Sequence, residues 1–335
     1  MASALVTGGA GFIGFHLAAA LSEQGHEVTI CDDFSRGRRD EELDALLRRP
    51  NVSLIDCDLT SPDAAAGIGG EFDCVYHLAA VNGTRHFYEM PERVLRVNIL
   101  ALVNVLDAWA EGRWDKLLFA SSSEVYAGTA RTSGVPIPTP EDVPLVLDDL
   151  RNPRLSYGAS KALGELLIVN YARARGLPYT IVRYHNIYGP RMGDEHVIPQ
   201  FCERILHRED PFAVHGDGES RAFCYIADAV RATRLLMESP QADGQTVHIG
   251  DPTRETPARD LARLMFDLFD FHPRIESRPA PAGSVKRRCP DIGRLTELTG
   301  FHPETPLEEG LRETFHWYRQ RFQQAAGAPA GSPAP

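Results

Sequence analysis

The stretch Leu5-Val6-Thr7-Gly8-Gly9-Ala10-Gly11-Phe12-Ile13-Gly14 decides the fold of this chain. A short apolar run feeds into three glycines spaced three apart (Gly8, Gly11, Gly14), and an apolar helical segment, Phe15 to Leu21, follows. This order predicts a strand, a tight turn and a helix N-terminus. Gly8 permits the turn, Gly11 lets a pyrophosphate approach the backbone, and Gly14 lets helix and strand pack closely. The free N–H groups and the positive dipole end of the helix then hold phosphates. Glycines alone also make ordinary turns, so the neighbouring residues decide. Gly25-His26-Glu27 breaks the helix, Val28 to Cys31 reads as a second strand, and the strand ends at Asp32-Asp33, where an acid meets an adenosine ribose. Strand, glycines, helix, strand and acid fall in the order of a dinucleotide site. Asp32 would accept from a ribose 2′-hydroxyl and repel a phosphate there, which favours NAD. Arg36 and Arg38, close by, leave tolerance of NADP open.

Further along, a polar loop (Phe34 to Arg39) leads to a helix around Glu41 to Arg49, and Val52 to Ile55 forms a third strand ending in Asp56-Cys57-Asp58-Leu59. Asp58 reads equally as an adenine contact and as a cap before Ser61-Pro62. Cys74 to Ala80 is a fourth strand closing on small residues. A helix from Pro91 to Ala110 carries Val94, Leu95, Ile99, Leu102, Val103 and Leu106 at helical spacing. Leu117 to Ala120 is a fifth strand running into Ser121-Ser122-Ser123-Glu124. Residues 129–156, with five prolines, form an irregular excursion over the site; a helix beginning near Tyr157 runs to about Arg175, and Tyr179 to Tyr184 is the next strand.

Strands alternating with helices predict an α/β fold, a Rossmann-type doubly wound parallel sheet. A smaller C-terminal substrate-binding lobe follows. Residues 1–186 form the NAD-binding domain, with 221–250 returning to it. Residues 187–220 and 251–324 make the lobe, and 325–335, only Ala, Gly, Pro and Ser, read as a disordered tail. Each polar motif falls at the carboxyl end of a strand, where such sheets bind ligands.

Composition sets outer bounds. The 335 residues carry 43% hydrophobic and 24% charged side chains, as in ordinary globular proteins. A formal net charge of −11 argues against a nucleic-acid surface and requires a local arginine cluster for any anionic ligand. The six cysteines include no C-x-x-C pair, so free thiols are expected rather than disulfides or a metal site. No signal peptide and no membrane-length apolar run is visible, so a cytoplasmic protein is expected.

The chemistry centres on Tyr157 and Lys161, four apart and therefore on one helix face. A tyrosine with a pKa of about 10 is a poor base at neutral pH. A lysine ammonium and an oxidised nicotinamide would bring it toward about 7, a stabilisation of roughly 4 kcal/mol. Tyr157 would then take a proton from a sugar hydroxyl as hydride leaves the carbon.

Gly8-x-x-Gly11-x-x-Gly14, the Ser121-Ser122-Ser123 strand end and Tyr157-x-x-x-Lys161 together resemble the extended short-chain dehydrogenase/reductase family. More narrowly, the chain resembles its nucleotide-sugar epimerases, dehydratases and decarboxylases, including UDP-glucuronate decarboxylases and UDP-hexose 4-epimerases. Asp32, Asp58-Leu59, His77 to Ala80, Asn98, Arg183 to Arg191, Gly216 to Arg221 and Arg287 to Ile292 extend the match over residues 4–320. The resemblance implies an NAD that stays bound and is recycled while C4 of a nucleotide-diphosphate sugar is oxidised to a ketone. It implies cofactor contacts from Gly8, Gly11, Phe12, Ile13, Gly14, Asp32, Asp33, Asp58, Leu59, Leu78, Ala79, Ala80, Asn98, Tyr157, Lys161 and Tyr184. Ser122 and Ser123 would accompany Tyr157, with Ser122 on the sugar hydroxyl. Asn186 and Arg221 would hold phosphates, and Arg288, Arg191 and Val197 complete the substrate set. Arg287 joins these arginines in the cluster that the acidic protein requires. Homodimer formation through helices 91–110 and 157–175 is implied as well.

Glu124 sets the subtype. A Ser-Glu pair at this strand end, with Arg288, resembles decarboxylases and 4,6-dehydratases, where the carboxylate assists after oxidation; simple 4-epimerases usually carry an uncharged residue. The plainer role is to orient backbone or pair with an arginine. The loop Val81 to Tyr88 departs from the common decarboxylases, as does Ala127 before Gly128, and Arg85 and His86 in that loop are candidates to read a carboxylate or hydroxyls. Decarboxylation or elimination thus ranks above 4-epimerisation. A dehydrogenase that releases NADH, and a non-catalytic nucleotide-binding protein, are the competing classes.

Overall fold

The computed structural model describes residues 1–281 and 283–327. Seven parallel strands form the central sheet: β1 (Ser3–Thr7), β2 (Glu27–Asp32), β3 (Val52–Asp56), β4 (Phe72–His77), β5 (Trp114–Ser122), β6 (Tyr179–Tyr184) and β7 (Gln245–Ile249). Their order is β7-β6-β5-β4-β1-β2-β3. The order reverses between β1 and β4, and a crevice for ligands opens at such a switch point.

The period-2 alternation of a strand explains two cores. Ala4 and Val6 face one side, packing with Leu17, Leu21, Leu43 and Ala229 of the helices Phe12–Glu23, Glu41–Leu47 and Ile226–Glu238. Leu5 faces the other, with Leu102, Leu106 and Ile168 of the helices Pro91–Ala110 and Leu155–Arg175. Both faces are covered, so the strands read as unbroken apolar runs.

Beyond β6 the first core continues through Phe201, Phe212, Met265, Phe266, Leu311 and Phe315, which join the helices Val197–Leu206, Ala258–Phe269 and Leu307–Gly327. Strand Phe212–His215 pairs in parallel with Ile275–Arg278. Ser220–Ala222 lies between Glu255–Pro257 and Arg287–Arg288. The return to the central sheet therefore begins after Ala222 rather than at Arg221, because Arg221 is in register with Arg288. The expected excursion 129–156 also opens with helix Ala127–Thr132. Of the expected tail, Ala325 to Gly327 instead complete the last helix, and 328–335 lie outside the described residues.

Candidate active site

A cleft of about 1170 Å³ runs along the carboxyl ends of the strands. The glycine stretch floors it. Gly8 has φ +70°, a left-handed conformation that a side chain resists, and a Cβ on Gly14 would overlap the Gly8 carbonyl oxygen. This close packing bares the main-chain N–H groups where helix Phe12–Glu23 begins. Asp32 ends β2 with its carboxylate accepting from Ala10 N (2.9 Å) and Phe34 N (2.9 Å). Phe12, Ile13, Asp33, Asp58, Leu59, Leu78, Ala79, Ala80 and Tyr184 line the same cleft. Asp58 lines the cleft and accepts from Thr60 N (2.8 Å) in a local turn; it caps no helix, since Asp63 stands at the N-cap of the helix Ala64–Ile68 that follows. A glycine cradle beside a fixed acid fits a dinucleotide such as NAD.

Asn98 does not reach the cleft. Its amide is used up on Val81 N (2.7 Å), Val81 O (3.2 Å) and Ser160 Oγ (3.0 Å), so it braces the wall from behind.

The second half of the site forms where β5 ends. Ser122 Oγ accepts from Glu124 N (3.2 Å) and caps a short helical turn, Ser123–Tyr126, which holds Ser122, Ser123 and Glu124 on the cleft wall. Tyr157 and Lys161, one turn apart at the start of helix Leu155–Arg175, face them. Tyr157 hydrogen-bonds with Ser122 and Asn82, and its ring stacks on Phe87 at 5.1 Å. Burial, then the charge of Glu124, pushes its hydroxyl above the ordinary tyrosine value, while those two hydrogen bonds pull it back. Burial presses Lys161 down to about 7, opposed only by Glu165, and its ammonium sits 4.7 Å over the Phe119 ring. Behind it His77 is held near 3 by burial and by Lys161, and bonds Thr7 Oγ1 at 2.8 Å.

Glu124 is the electrostatic centre. Burial alone would raise its pKa. Arg288 Nη1 donates to Oε1 at 2.7 Å, Arg154 lies 3.6 Å from the same oxygen, and these cations with Arg221 bring it to about 2. Burial and the neighbouring Arg288 lower Arg221 to about 10, and it bonds Glu219 at 3.1 Å. Arg154, missed in the sequence, stands three residues before Tyr157 in the excursion; that spacing was the available signal. Asn82 and Phe87 stand in the loop Val81 to Tyr88, where the sequence singles out only Arg85 and His86.

Several expected residues do other work. Arg287 points away from the cleft and pairs with Glu255 (2.6 Å), since successive strand residues face opposite sides. Arg191 lies on the cleft wall with only 2% of its side chain exposed; its Nη1 is spent on Asp40 (2.6 Å) and Glu42 (2.8 Å). Arg85, which does line the cleft, is exposed and meets Glu195 (3.3 Å) and Glu89 (3.4 Å). His86 is buried outside the cleft lining, its Nδ1 against Asn82 O (2.9 Å). Asn186 and Val197 do line the cleft, and Asn186 Nδ2 is buried without a protein partner.

The profile of the NAD-dependent epimerase/dehydratase family matches residues 4–250. The chain belongs to that family. Among similar proteins, this family member is 37% identical to the UDP-N-acetyl-alpha-D-glucosaminuronate decarboxylase of Bacillus cytotoxicus, over 94% of this chain and 97% of the other. It is 33% identical to UDP-glucuronic acid decarboxylase 1 of Xenopus tropicalis, covering 96% of this chain and 73% of that protein. A UDP-glucose 4-epimerase of Thermotoga maritima, solved with UDP-glucose, superimposes with a TM-score of 0.84 at 30% identity, over 96% of this chain and 99% of that one. A UDP-glucuronic acid 4-epimerase of Bacillus cereus, solved with UDP-glucuronic acid and NAD, gives 0.84 at 26% identity, over 95% and 99%. Membership makes this an NAD-dependent enzyme. No helix among the described residues is long and apolar enough to cross a membrane.

Proposed function

We propose that this enzyme decarboxylates a UDP-hexuronate after oxidising its C4 hydroxyl. The observation that carries the reading is the convergence of Arg288, Arg154 and Arg221 around Glu124, beside Ser122 and Tyr157. Three guanidiniums against Glu124 and Glu219 leave a surplus positive charge in a buried site, which an anionic sugar would neutralise. Epimerisation of a neutral hexose at C4 needs an acid/base and room for the sugar, and no such cluster; a hexuronate 4-epimerase would share it, so the cluster argues for an anionic sugar and the reaction is chosen on Glu124 and on the relatives. The decarboxylase names of the two relatives support the same choice.

The Gly8–Gly14 cradle and Asp32 would hold NAD, which would supply reversible hydride exchange at C4. Ser122 and Asn82 orient Tyr157, whose phenolate, favoured once the site holds an oxidised and therefore cationic nicotinamide, would take the C4-hydroxyl proton and keep it for the return step. A C4 ketone makes the C6 carboxylate a β-keto acid, so the C5–C6 bond breaks to CO₂ with its electron pair drawn into the carbonyl as an enolate. Arg288 and Arg154 give that negative charge a nearby cation, and ionised Glu124 keeps Arg288 in place. C5 then takes a proton from solvent, and as the stored hydride returns to C4 Tyr157 gives its proton back to the C4 oxygen, which leaves a UDP-pentose. Ser123, Asn186, Arg221 and Val197 belong to the proposed substrate wall, with Asn186 and Arg221 on the phosphates.

We place the enzyme in the cytoplasm as a homodimer. Exposed Leu95, Leu163 and Leu166 on the packed helices Pro91–Ala110 and Leu155–Arg175 supply an apolar face for a second copy.

Incubation with UDP-glucuronate and UDP-N-acetylglucosaminuronate, followed by NMR and CO₂ release, tests the reading. A UDP-pentose with CO₂ and little net NADH is expected. A C4-inverted hexuronate that keeps C6 would instead support the second reading, a 4-epimerase, which the solved neighbours favour.

A further inference from the structure

His185 sits between β6 and the cleft in the stretch Arg183-Tyr184-His185-Asn186, 2% exposed. Both of its ring nitrogens are buried and have no hydrogen-bond partner among the protein atoms. An imidazole buried in this way forfeits about 1–3 kcal/mol for each unmet group, so an apolar side chain would serve a purely packed position better. His185 also lines a small, partly open pocket of about 20 Å³ with Ser123, Thr139, Val285, Arg288 and Cys289 among others. That space exceeds the roughly 10–15 Å³ a single water needs. The pocket adjoins the cleft, since Ser123 and Arg288 line both.

Arg288 supplies the second half of the observation. Its Nη1 donates to Glu124, while its Nη2 is buried with no protein partner. Burial, His248, Arg288 and Arg183 together hold His185 in the neutral state, so one ring nitrogen is an acceptor. A guanidinium only donates. A water between them completes the chain in one direction, accepting from arginine and donating to imidazole.

We infer that one buried water occupies this pocket, accepts a hydrogen bond from Arg288 Nη2 and donates to His185. His185 is thereby a positioning residue: it fixes the far edge of the guanidinium whose near edge holds Glu124. Without it the guanidinium turns about its Cδ–Nε axis, and the Glu124 carboxylate loses its fixed partner.

Two arms test this. A high-resolution crystal structure of the resting enzyme should show water density within hydrogen-bond distance of both His185 and Arg288, and that density should vanish in His185→Phe. A dry pocket in the wild type overturns the proposal whatever the substrate is. The kinetic arm rests on the decarboxylation reading. His185→Phe should lower kcat by about 10- to 100-fold, the loss expected for a charge-assisted hydrogen bond, with KM and bound NAD unchanged. His185→Gln, whose amide can still accept from the water, should recover most of it. Wild-type kcat in His185→Phe, or an equal loss in both variants, overturns the positioning role. A wild type that turns over neither hexuronate refutes the proposed function instead, and leaves the crystallographic arm standing.

Discussion

Glu124 shows how a single carboxylate is governed by its partners. Its folded pKa of about 2 lies below the ordinary 4.5, because Arg288, Arg154 and Arg221 outweigh burial. A depressed carboxylate pKa contributes stability that is present above the unfolded value and is lost as pH falls through the folded one. The window therefore runs from about pH 4.5 down to about pH 2. Urea unfolding of the wild type should lose on the order of 2 kcal/mol between about pH 5 and about pH 3 that Glu124→Gln does not lose. Equal slopes for the two proteins would refute the pairing. In turnover, Glu124→Gln leaves Arg288 without its counter-charge, and activity should drop while NAD stays bound.

Among the elements, the first turn of helix Leu155–Arg175 matters most. A Cβ on Gly158 would lie 2.6 Å from the Glu124 carbonyl oxygen, a backbone atom that cannot swing aside. Glycine thus lets the helix carrying Tyr157 and Lys161 rest directly on the turn carrying Glu124. Gly158→Ala should lift that helix off the turn and part Tyr157 from Ser122. A displacement of about 1 Å is enough to cost roughly 100-fold in kcat. The checks are steady-state kinetics and the NAD content of the purified variant, which should stay at the wild-type level. Unchanged kcat would mean that the contact is slack. The same glycine passed unremarked in the sequence, where Tyr-x-x-x-Lys drew attention to the residues on either side of it.

For the molecule as a whole, the loop after β2 is clamped to the later part of the chain. Arg191 bonds Asp40 and Glu42, Trp317 Nε1 donates to Glu42 (2.7 Å), and Asp194 meets Arg38 (3.4 Å) and Arg321 (3.3 Å). The loop begins at the Asp32 that would hold the adenosine ribose, so this clamp closes one end of the cofactor groove. Arg191→Ala removes a side chain that is buried and paired. Asp40 and Glu42 are a third or more exposed and can be solvated once it is gone, so a loss of about 1.5–3 kcal/mol in unfolding free energy is expected, and the variant should shed NAD faster during gel filtration. Full NAD occupancy after repeated gel filtration would show that the clamp has no part in retention. Each of these ion pairs at the surface alone would be worth little; the buried one carries the effect.

The fold and the cofactor cradle were legible because they are written locally. Gly8, Gly11 and Gly14 stand within seven residues, the apolar strands are continuous because both faces are covered, and Tyr157 with Lys161 shares one helical turn. Which charge meets which was not legible. Arg288 finds Glu124 across 164 residues and Arg191 finds Asp40 across 151, so only the folded chain sorts the arginines. It sends Arg287 outward, spends Arg191 on the clamp and brings Arg154 into the cleft. Asn98 and His86 turned out to be braces for a related reason: burial leaves their polar atoms to be satisfied by the nearest backbone. Helical and strand periodicity decide a residue's local direction. Its electrostatic partner and its exposure are decided by packing, and here they separate a bound cofactor from the reaction performed on it.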